Sequence, residues 1–224
     1  NNIKADFLGY TKRIDKVEHR DVDLTDKLVV TVSSQKGCPM DCNFCDCPKF
    51  GFHGNCTEAE LVSEITTAIA LSGIKKGKRL NVHFARMGEP TFNEDVIWSA
   101  NLISLLVSDP HGSVFFEEYH PVVSTMMPKS NKNLEHFLFM WVMAGYEHGG
   151  ADGYGLQFSI NTLDEDKRNE MFRNRSLSLK EIGEIINRLP SPKKRKFTLN
   201  FAVTSDCNLD PVLNNIGALF LMDI

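Results

Sequence analysis

Five short runs rich in β-branched and aromatic residues (28–33, 80–86, 121–125, 156–161 and 197–204) alternate with stretches whose apolar residues recur at helical spacing. That rhythm limits the chain to folds assembled from parallel strand–helix units. The helix signals are specific. Thr57 and Glu60 have the spacing of a capping box, Leu61, Ile65, Ala68 and Ile69 share one helical face, and Gly73 supplies a stop. Asn93 caps a helix over 95–107 ahead of Pro110, a further helix spans 133–144, and Ser178 with Glu181 opens another that ends at Pro190. Asp210-Pro211 begins a fifth, with proline at the tolerated first position. The stretch around 149–155 is glycine-rich but precedes a strand, so it reads as a connection and not as a phosphate cradle.

Five such units predict an α/β fold, a partial (β/α)6-type barrel resembling a TIM barrel, with the sixth unit absent or truncated. Residues 1–26 are the lead-in segment and 27–224 the barrel. With 42% hydrophobic residues, 224 residues suffice for one substantial core. No apolar run approaches the roughly 18 residues of a membrane span, and the N-terminal residues lack a signal peptide's apolar segment. The expectation is a cytoplasmic monomer.

In a barrel of this kind ligands gather at the C-terminal ends of the strands. The first strand run delivers its end into Ser33-Ser34-Gln35-Lys36-Gly37-Cys38, and four of six cysteines lie between positions 38 and 47. In a reducing compartment such thiols serve metal or redox chemistry more readily than disulfides. Cys38, Cys42 and Cys45 have the spacing C-x3-C-x2-C, so one tight loop offers three thiolates to a small cluster and leaves one iron open to another ligand. Structural zinc is the competing reading, although it prefers two separated ligand pairs and no second pair follows downstream. Cys47, Cys56 and Cys207 read as ordinary thiols, Cys47 lying near enough to touch cluster or substrate.

The stretch Cys38-Pro39-Met40-Asp41-Cys42-Asn43-Phe44-Cys45, with its aromatic before the third cysteine, resembles the signature of radical S-adenosylmethionine (SAM) enzymes. The resemblance implies a 4Fe-4S cluster on Cys38, Cys42 and Cys45, with SAM bound at the open iron and cleaved reductively to a 5'-deoxyadenosyl radical. Ser33 to Cys38, Gly51-Phe52, Leu61 to Ile65 and Met87-Gly88-Glu89-Pro90 are similar to the RlmN/Cfr branch, whose members methylate adenine in RNA. By that likeness Gly88 and Glu89 meet the methionyl ammonium, Ser124, Ser159 and Asn161 at strand ends contact SAM, and Phe44 packs near the adenine. A backbone without a side chain and a carboxylate suit an ammonium ligand on physical grounds as well.

The likeness covers roughly residues 29–200. Cys207, after the fifth strand run, precedes the region where the branch keeps its methyl-carrying cysteine, yet its strand-end position is close to the site. Glu18 stands where the branch has a glutamate near the substrate base. These two are the substrate-side catalytic candidates. The implied partners are an RNA substrate and an external flavodoxin- or ferredoxin-like electron donor. Two other readings stay open: hydrogen abstraction from a peptide, small metabolite or other nucleic acid without methyl transfer, and a non-catalytic metal-binding scaffold.

A net charge of −4 argues against a protein that holds nucleic acid mainly by its overall field, while leaving room for a local basic face. The basic runs 75–79 and 193–196 precede strands and so belong to the face away from the cysteine loop. Lys49, His53, Arg86, Lys129, Arg173 and Arg175 are the basic residues expected on the loop's own face, and His83, inside a strand run, reads as a packed histidine.

Overall fold

The computed structural model describes residues 23–150 and 152–202. Five strands form an open parallel sheet in the order β1, β4, β5, β6, β7, comprising Leu28–Val32, Lys76–Phe84, Phe115–Thr125, Gly155–Asn161 and Thr198–Phe201. A two-stranded antiparallel hairpin, β2 (Gln35–Gly37) and β3 (Phe52–Asn55), brackets the cysteine loop. Helix α1 (Glu58–Ser72) links β1 to β4 by way of this hairpin, α2 (Asp95–Val107) links β4 to β5, and α3 (Leu134–His148) links β5 to β6. Two helices, α4 (Glu165–Met171) and α5 (Leu179–Arg188), precede β7.

The register explains where the core sits. Residues paired across parallel strands share a face, so Val32, Phe84, Val123 and Leu156 form one row and Val30 with Val82 another. Those rows are buried in a single cluster with Leu61 and Ile65 of α1, Ile103 of α2, Trp141 of α3 and Ile182 of α5. All the large helices therefore cover one face of the sheet, as in a barrel wall and unlike a doubly wound sheet. The opposite face carries Thr31 beside His83, Asn81 beside His120, Ser124 beside Gln157 and Ser159 beside Asn200. This inner face carries those polar side chains together with buried Val29 and Val122. Among the described residues the sheet ends at β1 and β7 without closing.

The caps follow the sequence. Thr57 and Ser178 each accept from the backbone N–H three residues on, and Glu60 and Glu181 reach back to complete both capping boxes; Gly73 ends α1 in the left-handed region.

Several expected boundaries move. The second strand starts at Lys76 and stops at Phe84, and the third starts at Phe115 instead of 121, because charged residues that looked like loop pair across the ladder: Arg79 lies opposite Glu118 at 2.5 Å. The run 75–79 thus enters the strand instead of preceding it. Lys78 pairs with Asp26, and Lys194 lies 3.5 Å from Asp152, so both basic runs have acidic neighbours on this face. Helix α3 continues to His148, and its first residue follows Asn133 without a side-chain cap bond. Asn93 is buried two residues before α2, donating to the Ser34 and Cys56 carbonyls at 2.8 Å each while its own carbonyl accepts from Asp95 N at 3.2 Å. The helix expected at 210, the strand end beyond 202, and both Glu18 and Cys207 lie outside the described residues.

Candidate active site

The cysteine loop leaves β2 and returns through β3, and two glycines make the closure fit. Gly37 has φ of +88°, and a Cβ there would fall 1.7 Å from the Gly51 carbonyl oxygen. Cys38 N donates to that same carbonyl at 3.2 Å, which fastens the first cysteine to the far arm of the hairpin. The turn after β4 is drawn against β2 in turn. Ser34 N and Gln35 N both donate to the Met87 carbonyl, and Gln35 Oε1 accepts from Glu89 N at 2.8 Å. Gly88, with φ of +101°, passes so close that a Cβ would meet Gln35 Cβ at 2.6 Å. The Gly88-Glu89 turn and the cysteine loop therefore lie against each other although about fifty positions separate them.

One cavity at the C-terminal ends of β4, β5 and β6 is lined by Cys38, Cys42, Cys45 and Phe44, by Gly88 and Glu89, and by Ser124, Ser159 and Asn161. Every candidate for the cluster or for SAM that falls within the described residues meets there; of the basic residues expected on this face, Arg86 lines the cavity and Lys49, His53, Lys129, Arg173 and Arg175 do not. Burial pushes the Cys42 thiol up to about 12 and raises Cys38 as well. The thiols surround the cavity without converging on one point: among the described residues no group of three or more His, Cys, Asp or Glu is disposed to hold a metal ion. All five described cysteines are free thiols.

Glu89 is buried, and its carboxylate is fixed on both oxygens. Oε1 accepts from Thr91 Oγ at 2.8 Å and Thr91 N at 3.2 Å, and Oε2 accepts from Met126 N at 3.0 Å, which ties the turn to the end of β5. Burial raises its pKa, opposed by these donors. Ser124 Oγ donates to Gln157 Oε1 at 2.8 Å across the β5–β6 ladder. Asn161 stands at a register shift in β6 with φ of +64°, a left-handed residue that turns the strand end toward the cavity.

Sequence reasoning missed the wall facing the cysteine loop. Met40, Met126 and Phe172 form a small apolar cluster with Cys38, Cys42 and Phe92 packed on it, and Phe172 meets the Phe44 ring edge-on at 5.7 Å. Phe172 is held by Arg168, a fully buried guanidinium 5.1 Å over its ring that donates to the Ile160 and Leu177 carbonyls and to Ser176 Oγ. The segment after α4 then grips the loop: Asn43 N donates to the Met171 carbonyl at 3.0 Å, Arg173 pairs with Asp41 at 2.9 Å, and Arg175 donates to the Pro39 carbonyl. Arg173 and Asn174, consecutive and both left-handed, mark this turn as constrained, but no sequence spacing relates it to position 41. Cys47 also lines the cavity, its thiol raised to about 11 by burial and by the neighbouring Cys45.

A one-sided parallel α/β wall with a three-cysteine loop and a Gly-Glu turn at its C-terminal rim is the arrangement expected from the resemblance to radical SAM enzymes. The solved structure of a radical SAM methyltransferase from Sphaerobacter thermophilus matches the fold with a TM-score of 0.64 at 21% identity, over 87% of this chain and 53% of that one. The dual-specificity RNA methyltransferase RlmN of Nautilia profundicola is 26% identical over 185 residues, 82% of this chain and 48% of that protein. RlmN of Aliarcobacter butzleri is 26% identical over 199 residues, 88% and 50% respectively, and that of Halorhodospira halophila is 40% identical over 83 residues, 37% and 22%. No family model matches the chain. Along most of its length the chain is similar to RlmN-type RNA methyltransferases, and its fold matches that of a solved radical SAM methyltransferase. It spans about half the length of the RlmN relatives named here that align along most of it.

Proposed function

We propose that this chain is the core of a radical SAM enzyme that modifies a base in RNA, with methylation the reaction its relatives' names favour and adenine the base that the RlmN/Cfr resemblance implies. The observation that carries the reading is the single cavity shared by Cys38, Cys42, Cys45, Gly88, Glu89, Ser124, Ser159 and Asn161. A loop that offers three thiolates suits an iron–sulfur cluster with one iron left open, whereas structural zinc takes a closed set of four ligands. When bound, the 4Fe-4S cluster and SAM supply the reductive cleavage that yields the 5'-deoxyadenosyl radical.

The residues do the positioning. Gly88 lets the backbone approach the methionyl group, and Glu89, held by Thr91 and Met126, offers a carboxylate whose direction is set before any ligand arrives. Ser124 and Asn161 add polar groups from β5 and β6, while Phe44, braced edge-on by Phe172, offers a ring to the adenine. Glu18 and Cys207 belong to the substrate side of the reaction in this reading, as do an RNA partner, a flavodoxin- or ferredoxin-like donor and a monomeric cytoplasmic enzyme. No helix among the described residues is long and apolar enough to cross a membrane.

Anaerobic reconstitution tests the reading. Reduced protein with SAM is expected to release 5'-deoxyadenosine, and Cys42→Ala to abolish it; no product from the parent protein overturns the enzyme assignment. SAM deuterated in its methyl group is expected to label an RNA base. Radical formation without that label in any transcript would favour hydrogen abstraction from another substrate.

A further inference from the structure

We propose that Phe50 and Phe52, with Lys49 and His53 beside them, form a platform beside the cysteine loop on which unpaired RNA bases stack. This rests on the RNA-modifying reading and adds to it the form of RNA and the surface that receives it.

Three exposed phenylalanines fall within nine residues: Phe44 at 57%, Phe50 at 62% and Phe52 at 48% exposure. Folding does not account for them, since β3 has no buried residue. A concentration of exposed rings next to a cavity marks a contact surface, unlike scattered apolar residues. The backbone that carries them is tied to the cysteine loop. Cys47 to Phe50 is one 3-10 turn, and its first residue, Cys47, lines the cavity. Gly51, between the two rings, accepts from Cys38 N and donates to the Pro48 carbonyl, which links the platform to a cluster ligand.

The composition selects the partner. From Phe44 to Gly54 there are three phenylalanines, one lysine and one histidine, and no Leu, Ile, Val or Met. An apolar protein surface or a lipid would be met by aliphatic side chains, whereas an unstacked polyanion asks for ring faces interleaved with cations. Lys49 pairs with Asp46, but both side chains are highly exposed, and a phosphate can replace so screened a partner. Arg86, exposed on the cavity wall, continues the positive charge inward.

The test measures anisotropy of a labelled RNA hairpin with an unpaired purine loop, and of a fully paired duplex of equal length. Reconstituted protein with SAM is the titrant, and dithionite-driven 5'-deoxyadenosine formation reports that each variant is loaded. The hairpin is expected to bind more tightly than the duplex. Phe50→Leu/Phe52→Leu, which keeps apolar area and removes the rings, is expected to weaken the hairpin about tenfold or more, leaving the duplex and SAM cleavage unchanged. Lys49→Gln is expected to lower the salt slope by about 1 for both RNAs. Unchanged hairpin affinity in the double leucine variant, with the parent still binding, overturns the platform and leaves the RNA reading intact. The same holds if the variant's sole defect is slow reduction by a flavodoxin, which would make the patch a donor dock. A parent protein that binds neither RNA overturns the RNA reading, and the platform with it.

Discussion

Glu89 shows what a single side chain is asked to do here. Its two oxygens accept three hydrogen bonds from Thr91 and Met126, so a carboxylate in this place both shapes the cavity and joins two strand ends. Glu89→Gln must turn an amide N–H toward one of those donors, and an unmet buried donor costs about 1–3 kcal/mol. Denaturant titration of the variant is expected to show a loss of that size, with 5'-deoxyadenosine formation falling as well; an unchanged midpoint would mean the three bonds are dispensable. Arg168 is a second such residue. Arg168→Met leaves the Ile160 and Leu177 carbonyls and the Ser176 hydroxyl without their donor, and a loss of about 3 kcal/mol or more is expected in the same titration. Because Arg168 acts through Phe172 and Phe44, SAM affinity is expected to fall further than the affinity for the methionine half alone.

Helix α1 carries the return from the hairpin to β4, and its start is secured by a capping box that also holds an ion pair. Glu60 accepts from Thr57 N at 2.9 Å and pairs with Lys36 at 2.6 Å, a residue of β2. Lys36 first, then the Thr57 backbone, lowers the Glu60 pKa to about 2. A depressed carboxylate stabilises above its ordinary value of 4.5 and loses that effect as pH falls through about 2, so the helix start is expected to survive mild acid. Thr57→Ala removes the cap and is expected to cost about 1 kcal/mol by thermal melting, with amide exchange fastest in the first turn. An exchange pattern unchanged at residues 58–61 would contradict this. The hairpin itself is short and two-stranded, and it persists because Gln35, Asn55 and Asn93 bolt it to the turn after β4.

Across the whole molecule the polar inner face sets the response to pH. His83 lies on that face, and burial first, then the positive charges of Arg195 and Lys27, lowers its pKa to about 4; His120 is lowered too, also chiefly by burial. A histidine depressed in the folded state contributes stability that is fully present above its ordinary value near 6.5. That contribution is lost progressively as pH falls toward 4. Melting temperature is therefore expected to decline between about pH 6.5 and 4, and His83→Gln to flatten the decline. An identical slope in the variant would assign the acid sensitivity elsewhere.

The strand rhythm, both capping boxes and the glycine stop of α1 were legible in the chain because each is a local matter of spacing and backbone preference. So was the meeting of the cysteine triplet with Gly88, Glu89, Ser124, Ser159 and Asn161 in one cavity, since parallel strands present their C-terminal ends and the turns that follow them together. Strand lengths were not, because Arg79 and Glu118 read as loop until the register sets them opposite each other. Nor was the wall formed by Arg168, Phe172, Arg173 and Arg175. It approaches the cysteine loop from more than 120 positions away, and only the folded chain brings Arg173 to Asp41. Sequence alone determined which donors the loop offers and at what spacing, because residue type and spacing are covalent facts. Tertiary structure decided how the loop is held and which rings border it, because those depend on contacts between segments that share no local signal.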